Sequence, residues 1–302
     1  MKSEDRRLFD GCATALVTPM RGGEVDLDAY RALVRDQIAG GVDAIVVTGT
    51  TGESPTLTDR EKERLWREAV RICHACPDRR IPVIAGSGSN NTARAAHLSE
   101  IAKDAGVDGL LLVTPYYNKT TQTGLIKHYE AILDAAPLPA IVYHVPSRTG
   151  CPLEVDTCRA LADHPLVVGL KEASGHIGFA ARVAAACGDR LPLYSGNDDM
   201  ILPYLSVGGR GVISVVSNLL PRETATLCRA WREGRCEEAR RIQHELLPLC
   251  DALFAEVNPI PVKCAMALCG MCGEEVRLPL APASEGLRDR ICRLLPRLGL
   301  LH

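Results

Sequence analysis

Only seven of the 35 basic residues are lysines, and one of them is out of place. Lys171 directly follows the apolar run Val167-Val168-Gly169-Leu170, whereas the other six lysines stand in polar or helical contexts or near an end. A lysine drawn out of water has a lowered pKa, and its free amine can attack a carbonyl carbon to form a Schiff base. The competing reading is a lysine paired with a carboxylate. Tyr143 ends a second apolar run, Ala140-Ile141-Val142. Its hydroxyl could relay protons, or it could be a core tyrosine with a satisfied hydroxyl. Thr50 and Thr51, within Gly49-Thr50-Thr51-Gly52-Glu53, would offer backbone N–H groups and hydroxyls to an anion such as the carboxylate of a keto acid. Taken alone, that motif is an ordinary turn. Arg148 carries a planar fork suited to a second carboxylate, or to a surface ion pair. Lys263, in Asn258-Pro259-Ile260-Pro261-Val262-Lys263, falls in helical sequence and reads as structural.

These residues need a frame that brings them together. Short apolar, β-branched runs begin near Ala13, Ala44, Val83, Leu110, Ala140, Val167, Leu193 and Val212, and amphipathic stretches separate most of them. Residues 26–39, 59–76 and 92–105 are the clearest helices, and Thr58 with Glu61 three residues later forms a capping-box signature. Near-continuous apolar strands alternating with helices predict a parallel sheet covered on both faces. Eight such units predict a closed (β/α)8 barrel, whose active site lies at the C-terminal strand ends, where Lys171, Tyr143, Thr50 and Arg148 all fall. The helix before the last strand must be short. Beyond Arg222 the sequence reads as helices over residues 223–231, 236–254, 260–268 and 285–295. The expected division is a barrel over 1–221 and a C-terminal helical extension over 222–302.

Composition excludes several classes. The 302 residues carry 35 basic and 37 acidic side chains, a net charge of −2, which argues against a nucleic-acid surface. No apolar run reaches the length of a membrane span, and the charged start from Met1 to Arg7 does not resemble a signal peptide. The expected compartment is the cytoplasm, where thirteen cysteines would remain thiols. The pairs Cys73/Cys76 and Cys269/Cys272 lie 193 residues apart in helix-like sequence, so no metal is expected. No phosphate-loop or H-E-x-x-H motif occurs, and Gly86-Ser87-Gly88-Ser89-Asn90 reads as a βα turn.

Four segments occur together and in order: Gly49-Thr50-Thr51-Gly52-Glu53, Tyr143-His144-Val145-Pro146-Ser147-Arg148-Thr149-Gly150, Gly169-Leu170-Lys171-Glu172, and Asn258 to Lys263. Through them the chain resembles the dihydrodipicolinate synthase / N-acetylneuraminate lyase superfamily, from about Gly11 to Leu301. The resemblance implies that Lys171 forms an imine, then an enamine, with pyruvate. The enamine would condense with L-aspartate-4-semialdehyde, a step of lysine and diaminopimelate biosynthesis. It implies a proton relay of Tyr143, Thr50 and Tyr117, with Tyr117 supplied by a neighbouring subunit. Thr51 would hold the pyruvate carboxylate, Arg148 the semialdehyde carboxylate, and Gly196 and Ile213 would line the pocket through backbone groups. No cofactor is implied, and the family is commonly a homotetramer, a dimer of dimers. The alternatives are another pyruvate-dependent aldolase, such as N-acetylneuraminate lyase or a 2-keto-3-deoxy sugar acid aldolase, and a non-catalytic paralogue. Arg148 separates the condensation with the semialdehyde from the sugar-acid aldolases, because a neutral sugar chain would leave its charge unpaired.

Two departures from the family pattern carry expectations. His144 replaces the usual Asn and should point away from Tyr143 along the strand. In lysine-sensitive relatives a glutamate pairs with the lysine ammonium. The aligned position here is Arg94, with Asp59 and Lys62 replacing two histidines while Ser54, Asn90 and Tyr116 remain. The implied enzyme is weakly inhibited by lysine or not at all.

Overall fold

The computed structural model describes residues 7–77 and 79–300. The charged start behind the expectation of no leader lies mostly outside them, as do the last two residues of the expected extension. In chain order the elements begin β1 (Gly11–Ala15), β2 (Met20–Arg21), β3 (Glu24–Val25), α1 (Leu27–Gly40), β4 (Ala44–Val47), α2 (Asp59–His74), β5 (Val83–Gly86) and α3 (Thr92–Asp104). There follow β6 (Gly109–Val113), α4 (Gln122–Ala135), β7 (Ala140–His144), α5 (Pro146–Thr149), α6 (Val155–Ala162), β8 (Val167–Glu172) and α7 (Ile177–Cys187). The chain continues through β9 (Leu193–Ser195), α8 (Ile201–Ser206), β10 (Gly211–Ser214), α9 (Pro221–Arg232), α10 (Cys236–Leu253), α11 (Ile260–Leu268) and α12 (Glu285–Leu294).

Eight parallel strands close in the order β1-β10-β9-β8-β7-β6-β5-β4, and β4 returns to β1. This is the expected (β/α)8 barrel. Because side chains alternate along each strand, the apolar runs split into two layers. Ala13, Val46, Ile84, Leu111, Ile141, Val168 and Ile213 fill the interior, and a larger outer cluster meets the helices. Phe9 stacks on Tyr194 at 4.4 Å, and the Tyr194 hydroxyl donates to the Phe9 carbonyl at 2.7 Å. Gly211 lets β10 close against β1: a Cβ there would stand 1.8 Å from the Gly11 carbonyl oxygen.

The expected capping box forms at Thr58 and Glu61, and Asp26 caps α1 by accepting from the Ala29 amide. The helix before the last strand is short, as expected, with six residues in α8. α9 packs on β1, β10 and α1 and completes the eighth unit, while α10 packs on α8 and α9 and α11 on α12. The hairpin β2–β3 and the four-residue α5 are additions to the sequence reading, since elements so short show no hydrophobic period. All thirteen cysteines are free thiols, and among the described residues no group of three or more His, Cys, Asp or Glu is placed to hold a metal ion. No helix of the described residues is long and apolar enough to cross a membrane.

Candidate active site

Strand register brings the two principal candidates together. β7 and β8 pair Tyr143 with Lys171, and the Lys171 Nζ lies 4.3 Å from the centroid of the Tyr143 ring. Both face a cavity of about 180 Å³ at the C-terminal mouth of the barrel, lined also by Thr50, Thr51, Arg148, Gly196, Asn197 and Asn258. Lys171 is only 6% exposed, and among the described residues it has no carboxylate within salt-bridge distance. Burial lowers its pKa to about 8; Arg148 pushes the same way, and the buried carboxylate of Asp198 opposes. More of the amine is therefore unprotonated near neutral pH than in an ordinary lysine, as a Schiff-base nucleophile requires. The reading of Lys171 as half of an ion pair does not describe this structure.

Gly196 is needed for the lysine to reach the cavity. A Cβ there would meet the Ala173 Cβ at 2.6 Å and the Lys171 Cε at 3.1 Å. Burial raises the pKa of Tyr143, against the pull of Arg148 and of the Thr50 hydroxyl, so the phenol remains protonated and able to donate. Asp198 is held by the amides of Val215 and Val216 at 2.9 and 3.1 Å.

The turn after β4 forms the opposite wall. Thr48 and Glu53 both adopt left-handed backbone, each with φ of 56°, which turns the chain sharply around Thr50 and Thr51. Glu53 is anchored from beneath: its carboxylate accepts from the Lys263 Nζ at 2.6 Å and from the Arg277 amide at 3.0 Å. Lys263 is fully buried and also donates to the Thr18 carbonyl at 3.0 Å, which bears out its structural reading. Asn258 Nδ2 donates to the Thr51 Oγ1 at 3.0 Å. A hydroxyl that accepts there keeps its own proton to donate to an anion.

Arg148 is exposed and lines the cavity with no ion pair among the described residues, so its fork is free to receive a carboxylate. Two expected residues stand outside the cavity wall of the single chain. Tyr117 is 91% exposed, on a left-handed backbone with φ of 70°. Ile213 is buried in the inner layer, and Val215 lines the cavity instead. Sequence reading missed Asn258 as a site residue, although it belongs to the same quoted motif as Lys263. It also passed over Asn197 and Asp198, whose signal was their place at the end of β9.

A second cavity of about 370 Å³ adjoins the first and shares Thr50, Tyr143 and Arg148 with it. Its far side carries Ser54, Lys62, Arg94 and Tyr116. Arg94 is engaged by both carboxylate oxygens of Asp59, one of them at 2.6 Å. Burial, with Arg94 nearby, lowers the Lys62 pKa to about 8.

Comparison with known proteins agrees with this geometry. The model of the dihydrodipicolinate synthetase family matches residues 8–297. The chain belongs to this family. It is 46% identical over 294 residues to the 4-hydroxy-tetrahydrodipicolinate synthase of Citrifermentans bemidjiense, covering 97% of this chain and 100% of that one. The enzyme of the same name from Nitratidesulfovibrio vulgaris is 47% identical, covering 97% of this chain and 99% of its own. The dihydrodipicolinate synthase of Thermotoga maritima superposes with a TM-score of 0.94 at 43% identity, covering 98% of this chain and 100% of that one.

Proposed function

We propose that this chain catalyses the 4-hydroxy-tetrahydrodipicolinate synthase reaction, joining pyruvate to L-aspartate-4-semialdehyde with loss of one water. The observation that carries the reading is Lys171: buried, unpaired, lowered to a pKa of about 8 and set against Tyr143 in a cavity that also holds the free fork of Arg148. The neutral amine attacks the keto carbon of pyruvate, and water leaves to give the imine. Loss of a C3 proton gives the enamine, whose C3 attacks the aldehyde carbon of the semialdehyde. The semialdehyde nitrogen then displaces Lys171 at the former keto carbon and closes the ring.

Thr51 and the turn amides hold the pyruvate carboxylate, and Arg148 holds the carboxylate of the semialdehyde. Tyr143 and Thr50 move protons to and from the reacting oxygen. Gly196 contributes backbone groups, with Val215 in the place expected of Ile213, and no cofactor or metal takes part. The exposed Arg148 fork favours this acceptor over the polyol chain of N-acetylneuraminate or a 2-keto-3-deoxy sugar acid. Tyr117, exposed on strained backbone, completes the relay of a second copy in a homo-oligomer, a tetramer built as a dimer of dimers. The strands and Lys171 fall within the expected barrel division, α9 completes its eighth unit, and α10 to α12 are the helical extension that braces it and brings Asn258 to the site. Thirteen free thiols support a reducing compartment, the cytoplasm.

The test is to incubate the protein with pyruvate, reduce with borohydride and record intact mass. A trapped pyruvate adduct on the native chain, absent from Lys171→Ala, is the expected result; no adduct on the native chain would remove the mechanism. Adding the semialdehyde or N-acetylneuraminate to the pyruvate-loaded enzyme then decides the acceptor.

The second cavity supports insensitivity to lysine. Among the described residues no carboxylate lines it; Asp59, behind its wall, is already taken by Arg94, and Lys62 adds a further positive charge. A lysine ammonium would meet repulsion with no free anion to receive it. Millimolar lysine is expected to leave the initial rate nearly unchanged, and strong inhibition in that titration would refute the reading.

A further inference from the structure

The proton relay and the nucleophile stand on neighbouring strands, β7 and β8, and the tips of those strands are joined on their outer face. The register that pairs Tyr143 with Lys171 inside the barrel pairs His144 with Glu172 outside it. His144 Nδ1 lies 3.0 Å from Glu172 Oε1, which also accepts from the Ser174 amide at 2.8 Å. The other carboxylate oxygen accepts from the Tyr204 hydroxyl, brought in by α8. Glu172 is fully buried, and His144 is 2% exposed with its ring 5.0 Å from that of Phe179 on α7.

A carboxylate oxygen only accepts, so the His144 proton on this contact sits on Nδ1. The opposite ring nitrogen, Nε2, is buried with no hydrogen-bond partner among the described residues. A buried polar atom left unsatisfied is costly, so packing alone does not account for an imidazole here. Among the described residues the ring's one hydrogen-bond partner is Glu172. The pairing of β7 with β8 also shifts register lower down, between Ala140 and Ile141. Tyr143 and Lys171 thus lie between an irregular stretch of ladder and the His144–Glu172 link.

We propose that His144, Glu172 and Tyr204 form a positioning clamp that fixes the tips of β7 and β8 and thereby holds the Tyr143 hydroxyl in line with Lys171. The proposal rests on the Schiff-base reading of Lys171. The clamp acts through place, since the carboxylate whose field reaches Lys171 is Asp198.

The test compares His144→Phe, which keeps an aromatic ring but cannot donate, with His144→Asn, whose amide can donate to the same carboxylate. The readouts are kcat, KM for pyruvate, borohydride trapping, and hydrogen exchange at the ends of β7 and β8. His144→Phe is expected to lose about 10- to 100-fold in kcat, the scale of a small misplacement of reacting groups. Its KM for pyruvate should stay within about twofold, because ground-state binding is untouched. Exchange should quicken at the two strand tips and nowhere else in the barrel, and His144→Asn should recover most of the rate. A folded His144→Phe with native kcat overturns the clamp, and so does an Asn variant no better than the Phe variant. Where His144→Phe does not fold, Tyr204→Phe takes its place, with an expected loss of about 3- to 10-fold for one hydrogen bond; native kcat there also overturns the clamp. A native enzyme that traps no pyruvate refutes the proposed activity instead. The clamp is then judged by exchange alone, and tips no faster than the native ones overturn it.

Discussion

An amine with a pKa near 8 makes the first step of the reaction pH-dependent in a defined direction. Below that value Lys171 is protonated and has no lone pair; above it the free amine predominates. The rate of imine formation with pyruvate is expected to rise about tenfold per pH unit from pH 6 and to level off above about pH 8. Stopped-flow or quenched trapping across that range checks this, and a profile still rising at pH 10 would mean that burial does not lower the amine's pKa. Lys171 was legible in the sequence because an apolar strand that ends in a rare lysine announces itself. Asn258 was not: it reaches Thr51 across 207 residues of chain, and no local pattern records a contact of that span. Arg148 lay between these cases, since its type was informative but its freedom from an ion pair needed the fold.

At the scale of elements, the turn after β4 is held by a helix far along the chain. Glu53 and Lys263 are both fully buried at their side chains and lie 2.6 Å apart, so removing either partner leaves an uncompensated charge in the interior. Glu53→Gln or Lys263→Met is expected to cost about 3–5 kcal/mol of stability, while the double replacement costs less than either alone. Urea unfolding of the four proteins checks this, and additive losses would show that the two side chains are not coupled. The strands were readable because a barrel strand is apolar on both faces; those starting at Ala44, Val83, Ala140, Val167 and Leu193 fall where the sequence places them. β2, β3 and α5 were not, because two to four residues carry too few side chains to show a face. The partners of Glu172 were hidden too, since the strand pattern shows that His144 faces outward but not that Tyr204 meets Glu172 there.

For the whole molecule, Tyr117 poses the question of how many chains make one site. A tyrosine 91% exposed on left-handed backbone is an unfavourable arrangement for a side chain with nothing to touch. Tyr117→Ala and Lys171→Ala are each expected to be inactive alone. Mixed, dissociated and reassembled, they should regain activity, because some sites then combine an intact lysine with an intact tyrosine; a mixture as inactive as its parts would confine Tyr117 to its own chain. The grip of Asn258 on Thr51 has a further consequence, for how the molecule is made. The chain leaves the ribosome from its N-terminus, so all eight strands, the last ending at Ser214, are synthesised before the residue that readies Thr51 for its anion. The nascent chain therefore holds every barrel strand and its lysine before it holds the residue that finishes the carboxylate seat. A message cut short before codon 258 would lose Lys263 along with Asn258, so it would leave Glu53 uncompensated in the interior as well as the carboxylate seat unfinished.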